Sequence, residues 1–93
     1  MINKLNKNDI YYVYILECAD GTYYTRITND LIKRLKTHNL GKASKYTKVR
    51  LPVKYVYTEI CSDKSSALCR EIEIKKLSRK DKETLIQNNP LSY

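Results

Sequence analysis

Arg34 and His38 lie four residues apart in a stretch with helical patterning, so they project from one helix face about one turn apart. A fixed guanidinium beside an imidazole can bind and orient a phosphate, although the same spacing also suits a solvated face. His38 is the single histidine of the chain, which excludes a multi-histidine metal site. A second candidate is a carboxylate among apolar neighbours. With Ala67 at zero and an advance of about 100° per residue, Ile74 falls at about 340°, Leu68 at about 100° and Ile72 at about 140°. Glu71, at about 40°, lies inside that arc, where a charge requires a partner. Two partners are open: an ion pair with Lys64 or Lys75, or a hard cation, since one carboxylate with several waters suits Mg²⁺ or Mn²⁺ at a phosphate site. Glu73, at about 240°, reads as ordinary solvated charge.

The elements that must position these groups are legible from local signals. Ile10 to Cys18 and Thr22 to Thr28 are β-branched and aromatic runs separated by Asp20-Gly21, the pattern of an antiparallel hairpin. Thr28, Asn29 or Asp30 can cap a helix whose stripe is Leu31, Ile32 and Leu35 and which ends near Gly41. Gly41 to Pro52 is polar and basic and is expected to be an exposed loop. Val53 to Cys61 alternates as a third strand, Ser62 or Asp63 opens a helix over 64–77, and Ser78 with Asp81 opens a last helix to about Gln87. The expected order is ββαβαα in an α+β domain with a three-stranded antiparallel sheet flanked by helices. Residues 1–93 read as one domain, with tails over 1–9 and 88–93.

Charge points to the partner. The chain has 93 residues, 18 Lys+Arg against 10 Asp+Glu and a net charge of +8. Lys33, Arg34, Lys36, Lys42, Lys45, Lys48, Arg50 and Lys54 occupy a window without a single acidic residue, and outside it the charges cancel. A single-sign field of this kind predicts a polyanion, most simply nucleic acid. No apolar run is long enough for a membrane span and no signal peptide is expected, which excludes membrane functions. Cys18, Cys61 and Cys69 match neither a CxxC nor a zinc spacing and read as reduced thiols, hence a cytoplasmic location. All nine aromatic residues are tyrosine. Tyr12, Tyr23 and Tyr46 are candidates for stacking on unpaired bases, or for ordinary packing.

Tyr12-Val13-Tyr14, Tyr24-Thr25-Arg26, Asp30-Leu31-x-x-Arg34-x-x-x-His38-Asn39 and Ala67-Leu68-x-x-Glu71, in this order, resemble the GIY-YIG nuclease superfamily over about residues 10–80. Within it the chain is most similar to the small, stand-alone, single-domain bacterial proteins, through Tyr12-Val13-Tyr14-Ile15-Leu16-Glu17-Cys18 and Ile74-Lys75-Lys76-Leu77-Ser78-Arg79. The resemblance implies a one-metal hydrolysis of phosphodiester bonds. Tyr14 and Tyr24 would flank the scissile phosphate, Arg34 would steady its charge, His38 would assist, and Glu71 would hold the Mg²⁺ or Mn²⁺. Tyr14 would deprotonate the attacking water, directly or through His38. A tyrosine of reference pKa about 10 is a poor base at neutral pH, so this scheme requires nearby cations and the metal to lower that value.

The chain departs from the family pattern in two places. Tyr12-Val13 replaces Gly-Ile at positions that need mainly strand backbone. Arg26 replaces the glycine that ends the second signature, on the same pleat face as Tyr24. A guanidinium there can block substrate or metal, pair with Glu71 or add a phosphate contact, and it is expected to impair cleavage. The expected function is a metal-dependent endonuclease-like protein that hydrolyses structured or single-stranded DNA, with DNA preferred over RNA. The alternative is a nucleic-acid-binding module without cleavage. Lys42, Lys45, Lys48 and Arg50 are expected to hold the flanking backbone.

Overall fold

Residues 10–91 are described by a computed structural model. The N-terminal tail expected over 1–9, and the final residues 92–93, lie outside the described residues. β1 (Tyr11–Glu17) and β2 (Tyr23–Thr28) form the hairpin. Its turn closes with the Gly21 N–H on the Cys18 carbonyl at 2.9 Å, and Gly21 takes φ +84, a conformation that favours glycine. β3 (Lys54–Cys61) pairs antiparallel with the other side of β1, giving the order β2-β1-β3.

The central strand is therefore covered on both faces, and its period-two alternation divides the core. Val13 and Ile15 pack with Tyr57, Ala67 and Ile74 beneath α3 (Lys64–Lys75) and α4 (Arg79–Asn88). Tyr14, Leu16 and Cys18 pack with Val53 on the opposite face, against Leu31 and Leu35 of α1 (Leu31–Asn39). The hydroxyl and carboxylate caps expected from the sequence are formed: Asp30 accepts from the Lys33 N–H, Asp63 from Ser66 and Ser78 from Asp81. Gly41, at φ +76, ends α1. Its N–H bonds the His38 carbonyl at 2.9 Å and the next N–H, of Lys42, bonds that of Thr37 at 3.1 Å.

Three expectations need correction. Residues 41–52 are not simply an exposed loop: they contain a four-residue helix, α2 (Lys45–Lys48), capped by Ser44, and Thr47 within it is fully buried. The ββαβαα order holds around this insertion. Ile32, placed in the α1 stripe, is 85% exposed. On α3 the buried face is Ala67, Glu71 and Ile74, whereas Leu68 and Ile72 are exposed, so the carboxylate sits nearer the centre of the covered face than the apolar pattern indicated.

Candidate active site

The β1–β2 register places Tyr14 opposite Arg26 and Leu16 opposite Tyr24, which makes the two tyrosines diagonal neighbours on adjacent strands. Tyr14 is buried and its hydroxyl lies 2.9 Å from His38 Nε2. Tyr24 presents its ring to the same imidazole edge-on, with 5.6 Å between centroids. Tyr55 packs edge-on against Tyr14 and donates its hydroxyl to the Leu31 carbonyl at 2.6 Å, tying β3 to the start of α1. Asn39 ties the other end. Its amide donates to the Val53 carbonyl at 3.1 Å and accepts from the Val53 N–H at 2.9 Å. Asn39 appears in the sequence motif beside His38, but nothing local indicates this double bond to a residue fourteen positions away.

The electrostatics of the pair are set by burial. Desolvation pushes the Tyr14 phenol well above its ordinary value, with Tyr55 adding to the rise, and the opposing pull of Arg34 and Arg26 does not offset it. Burial, aided by the Arg34 and Arg26 charges, holds the His38 imidazole down at about 4. Burial thus outweighs the pull of the two arginines on the phenol, and Tyr14 and His38 are both neutral at pH 7.

Arg34 is half-buried one turn from His38 and, among the described residues, makes no ion pair. With Glu71, Arg26, Lys64 and Lys75 it lines an open polar cavity of about 540 Å³ at the β2 edge of the sheet. Glu71 is the one buried acidic side chain among the described residues. Its Oε2 receives two cations, Lys75 Nζ at 3.4 Å and Arg26 Nε at 3.6 Å. Lys75 is the ion-pair partner foreseen on the same helix, and Arg26 reaches across because β2 is an edge strand. Glu73, by contrast, is solvated and pairs with Arg70.

Outward from Tyr24 the rings continue. Tyr46 of α2 stacks on it with 5.7 Å between centroids and 14° between planes, and the Arg50 guanidinium covers Tyr46 at 3.8 Å. Arg50 also bonds Asp20 Oδ2 at 3.1 Å and the Tyr46 carbonyl at 2.8 Å. Tyr23 is likewise covered, by Arg79 at 4.3 Å. Lys42, Lys45 and Lys48 are exposed and, among the described residues, none is paired with a carboxylate.

Comparison with known proteins gives the family. The sequence matches the family described as the GIY-YIG catalytic domain over residues 10–84. The chain belongs to the GIY-YIG family. Its relatives include a UPF0213 protein of Bacillus licheniformis, 53% identical over 77 residues, which are 83% of this chain and 79% of that protein. A UPF0213 protein of Syntrophus aciditrophicus is 54% identical over 80 residues, 85% of this chain and 92% of that one. The solution NMR structure of the UPF0213 protein from Bacillus halodurans is similar at a TM-score of 0.55 and 46% identity, covering 84% of this chain and 83% of that chain. That of a protein from E. faecalis gives a TM-score of 0.59 at 37% identity, covering 95% and 90%. Among the described residues, no helix is long and apolar enough to cross a membrane.

GIY-YIG nucleases generally use a divalent metal, and the donor set here bears on where one would bind. Among the described residues no three His, Cys, Asp or Glu side chains converge, so a metal held by the described residues of this GIY-YIG domain would take fewer than three such ligands. Glu71 is a buried hard-oxygen donor on a polar cavity, which suits a cation that keeps most of its waters. Both side-chain cations engage Oε2. The residues therefore fit a hydrated hard cation that shares this carboxylate with Arg26 and Lys75 or displaces them.

Proposed function

We propose that this GIY-YIG domain is an endonuclease-like phosphodiesterase of DNA, acting on single-stranded or structured substrates, whose cleavage Arg26 restrains. The observation that carries the reading is that Arg34 and Arg26, which line a cavity with Glu71, also lie close enough to the hydrogen-bonded Tyr14–His38 pair to act on its charge. Arg34 would hold the phosphate by charge-assisted hydrogen bonds. Tyr14, with His38 accepting its proton, would orient the attacking water and take up charge as the substrate displaces solvent. Glu71 would hold one Mg²⁺ or Mn²⁺, which when bound supplies stabilisation of the leaving oxygen. Lys42, Lys45 and Lys48, exposed and free of carboxylate partners among the described residues, would contact the flanking backbone. Arg50 is engaged by Asp20 and Tyr46, and its place in this scheme is to fix the Tyr46 and Tyr24 stack. Tyr46, with Tyr24 and Arg50 on it, is a support rather than a platform for a base. The three free cysteines accord with a cytoplasmic location as part of the same reading.

The Arg26–Glu71 pair favours a second reading, a nucleic-acid-binding domain that does not cut. The two are separated by incubating the protein and its Arg26→Gly variant with single-stranded, duplex and branched DNA in Mg²⁺ or Mn²⁺. Cleavage by either protein supports the phosphodiesterase. Binding without cleavage by both leaves the binding domain.

A further inference from the structure

Thr47 is fully buried in a four-residue helix whose other members, Lys45, Tyr46 and Lys48, are exposed. Its hydroxyl lies 2.9 Å from His38 Nδ1 and 3.0 Å from the Ser44 hydroxyl, which in turn accepts the Thr47 N–H at 3.0 Å. His38 Nε2 is 2.9 Å from the Tyr14 hydroxyl. Both ring nitrogens of a buried imidazole thus meet a hydroxyl, and the four side chains form one chain of hydrogen bonds from Tyr14 to the half-buried Ser44.

A neutral imidazole carries one N–H, and the partner of one nitrogen fixes the state of the other. Two arrangements run in one sense along the whole chain of hydrogen bonds and satisfy all the distances. In one, Tyr14 donates to Nε2, Nδ1–H donates to Thr47, and Thr47 donates to Ser44. In the other every bond is reversed, and Nε2–H donates to the phenol oxygen. The acidities choose between them. A phenol is a much stronger acid than an aliphatic alcohol, so it is the better donor and the poorer acceptor, and the first arrangement gives each nitrogen its better partner. We propose that Thr47 is a positioning residue that holds the His38 proton on Nδ1, leaving Nε2 to accept from Tyr14. In this arrangement the Tyr14 proton points away from the substrate and toward a base, and the phenol oxygen keeps its lone pairs for the attacking water. Its catalytic meaning rests on the reading of Tyr14 and His38 given above; the tautomer itself does not.

His38 is the only histidine, so selective ¹⁵N labelling of imidazole gives two ring signals from one known residue, and their long-range couplings to Hδ2 and Hε1 tell Nδ1 from Nε2. At neutral pH the wild-type protein is expected to show a protonated, pyrrole-type Nδ1 and a bare, pyridine-type Nε2. Thr47→Val keeps the shape and removes the hydroxyl, and it is expected to move the proton to Nε2. Thr47→Ser is expected to restore the wild-type tautomer. Under cleavage conditions Thr47→Val should lower kcat about tenfold with KM unchanged, as expected when a proton acceptor is misaligned while substrate binding stays intact. A wild-type spectrum with Nε2 protonated, or an unchanged tautomer in folded Thr47→Val, would overturn the proposal. If Thr47→Val does not fold, the wild-type spectrum decides alone. The expected tautomer in a protein that never cleaves DNA would sustain the proposal and count only against the phosphodiesterase.

Discussion

Arg26 Nε stands 3.6 Å from Glu71 Oε2, so the side chain that replaces the glycine of the second signature touches the carboxylate expected to hold the metal. The contact crosses from an edge strand to the buried face of α3, and Lys75 approaches the same oxygen from within the helix. The Arg26 side chain is half exposed, and exposed or half-exposed ion pairs of this kind contribute up to about 1 kcal/mol. That is small enough for a divalent cation to overcome and large enough to weaken its binding.

Removing the guanidinium should therefore tighten metal binding. We expect Arg26→Gly to bind Mn²⁺ more tightly than the wild type, by up to roughly fivefold, the equivalent of about 1 kcal/mol. Calorimetric or paramagnetic titration with Mn²⁺ measures it, and equal affinities would remove Arg26 as the competitor.

His38 gives a pH dependence of known sign. Its folded pKa, about 4, lies below the unfolded value of about 6.5, so between them the unfolded chain binds the additional proton. Stability from this group is complete above pH 6.5 and is lost as pH falls toward 4, by up to about 1.4 kcal/mol per pH unit. Urea unfolding of the wild type and His38→Gln at several pH values between 4 and 7 should show the wild type losing more on acidification. Parallel losses would contradict a buried neutral imidazole.

The basic window should divide into two kinds of residue. Changing Lys42, Lys45 and Lys48 together to Ala should weaken single-stranded DNA binding and reduce the salt slope by about 0.7 for each phosphate no longer neutralised. Arg50→Ala should leave the slope nearly unchanged and lower the melting temperature, because its guanidinium is committed to Asp20, Tyr46 and the aromatic stack. A slope change for Arg50→Ala equal to that of a lysine would place it at the phosphate backbone.

Asn39 should matter for stability more than its sequence position implies. Asn39→Ala removes both bonds to the Val53 backbone and leaves that N–H and carbonyl to find other partners, at a cost of about 1–3 kcal/mol. Thermal unfolding measures the loss, and an unchanged midpoint would show that water replaces the side chain freely.

What was legible in the sequence was local. The hairpin follows from two β-rich runs around Asp20-Gly21, and the helix limits follow from Asp30, Gly41, Asp63 and Ser78, whose effects act within a few residues. The helix wheel identified Glu71 but misplaced its face, because Leu68 and Ile72 are apolar yet left outside by the packing of α3 on β1 and β2. Segment 41–52 reads as solvated because its composition is polar. Thr47 is buried there through a hydrogen bond to His38, nine residues earlier, and no local period reports such a bond. Arg50 shows the same limit: its charge was visible, its partners Asp20 and Tyr46 were not. Four of the residues gathered around the cavity and the imidazole, Tyr14, Tyr24, Arg34 and Glu71, were legible through the order of motifs, whereas the low His38 pKa and the high Tyr14 pKa depend on burial that only the folded chain creates.

The central claim, that this is a phosphodiesterase restrained by Arg26, is tested most directly by single-turnover cleavage of DNA in Mn²⁺ by three proteins: wild type, Arg26→Gly and Arg26→Gly with Glu71→Ala. Arg26→Gly is expected to cut faster than the wild type, and the double variant to lose that activity. Cleavage by Arg26→Gly that persists without Glu71, or no cleavage by Arg26→Gly on a DNA that it binds, would contradict the claim.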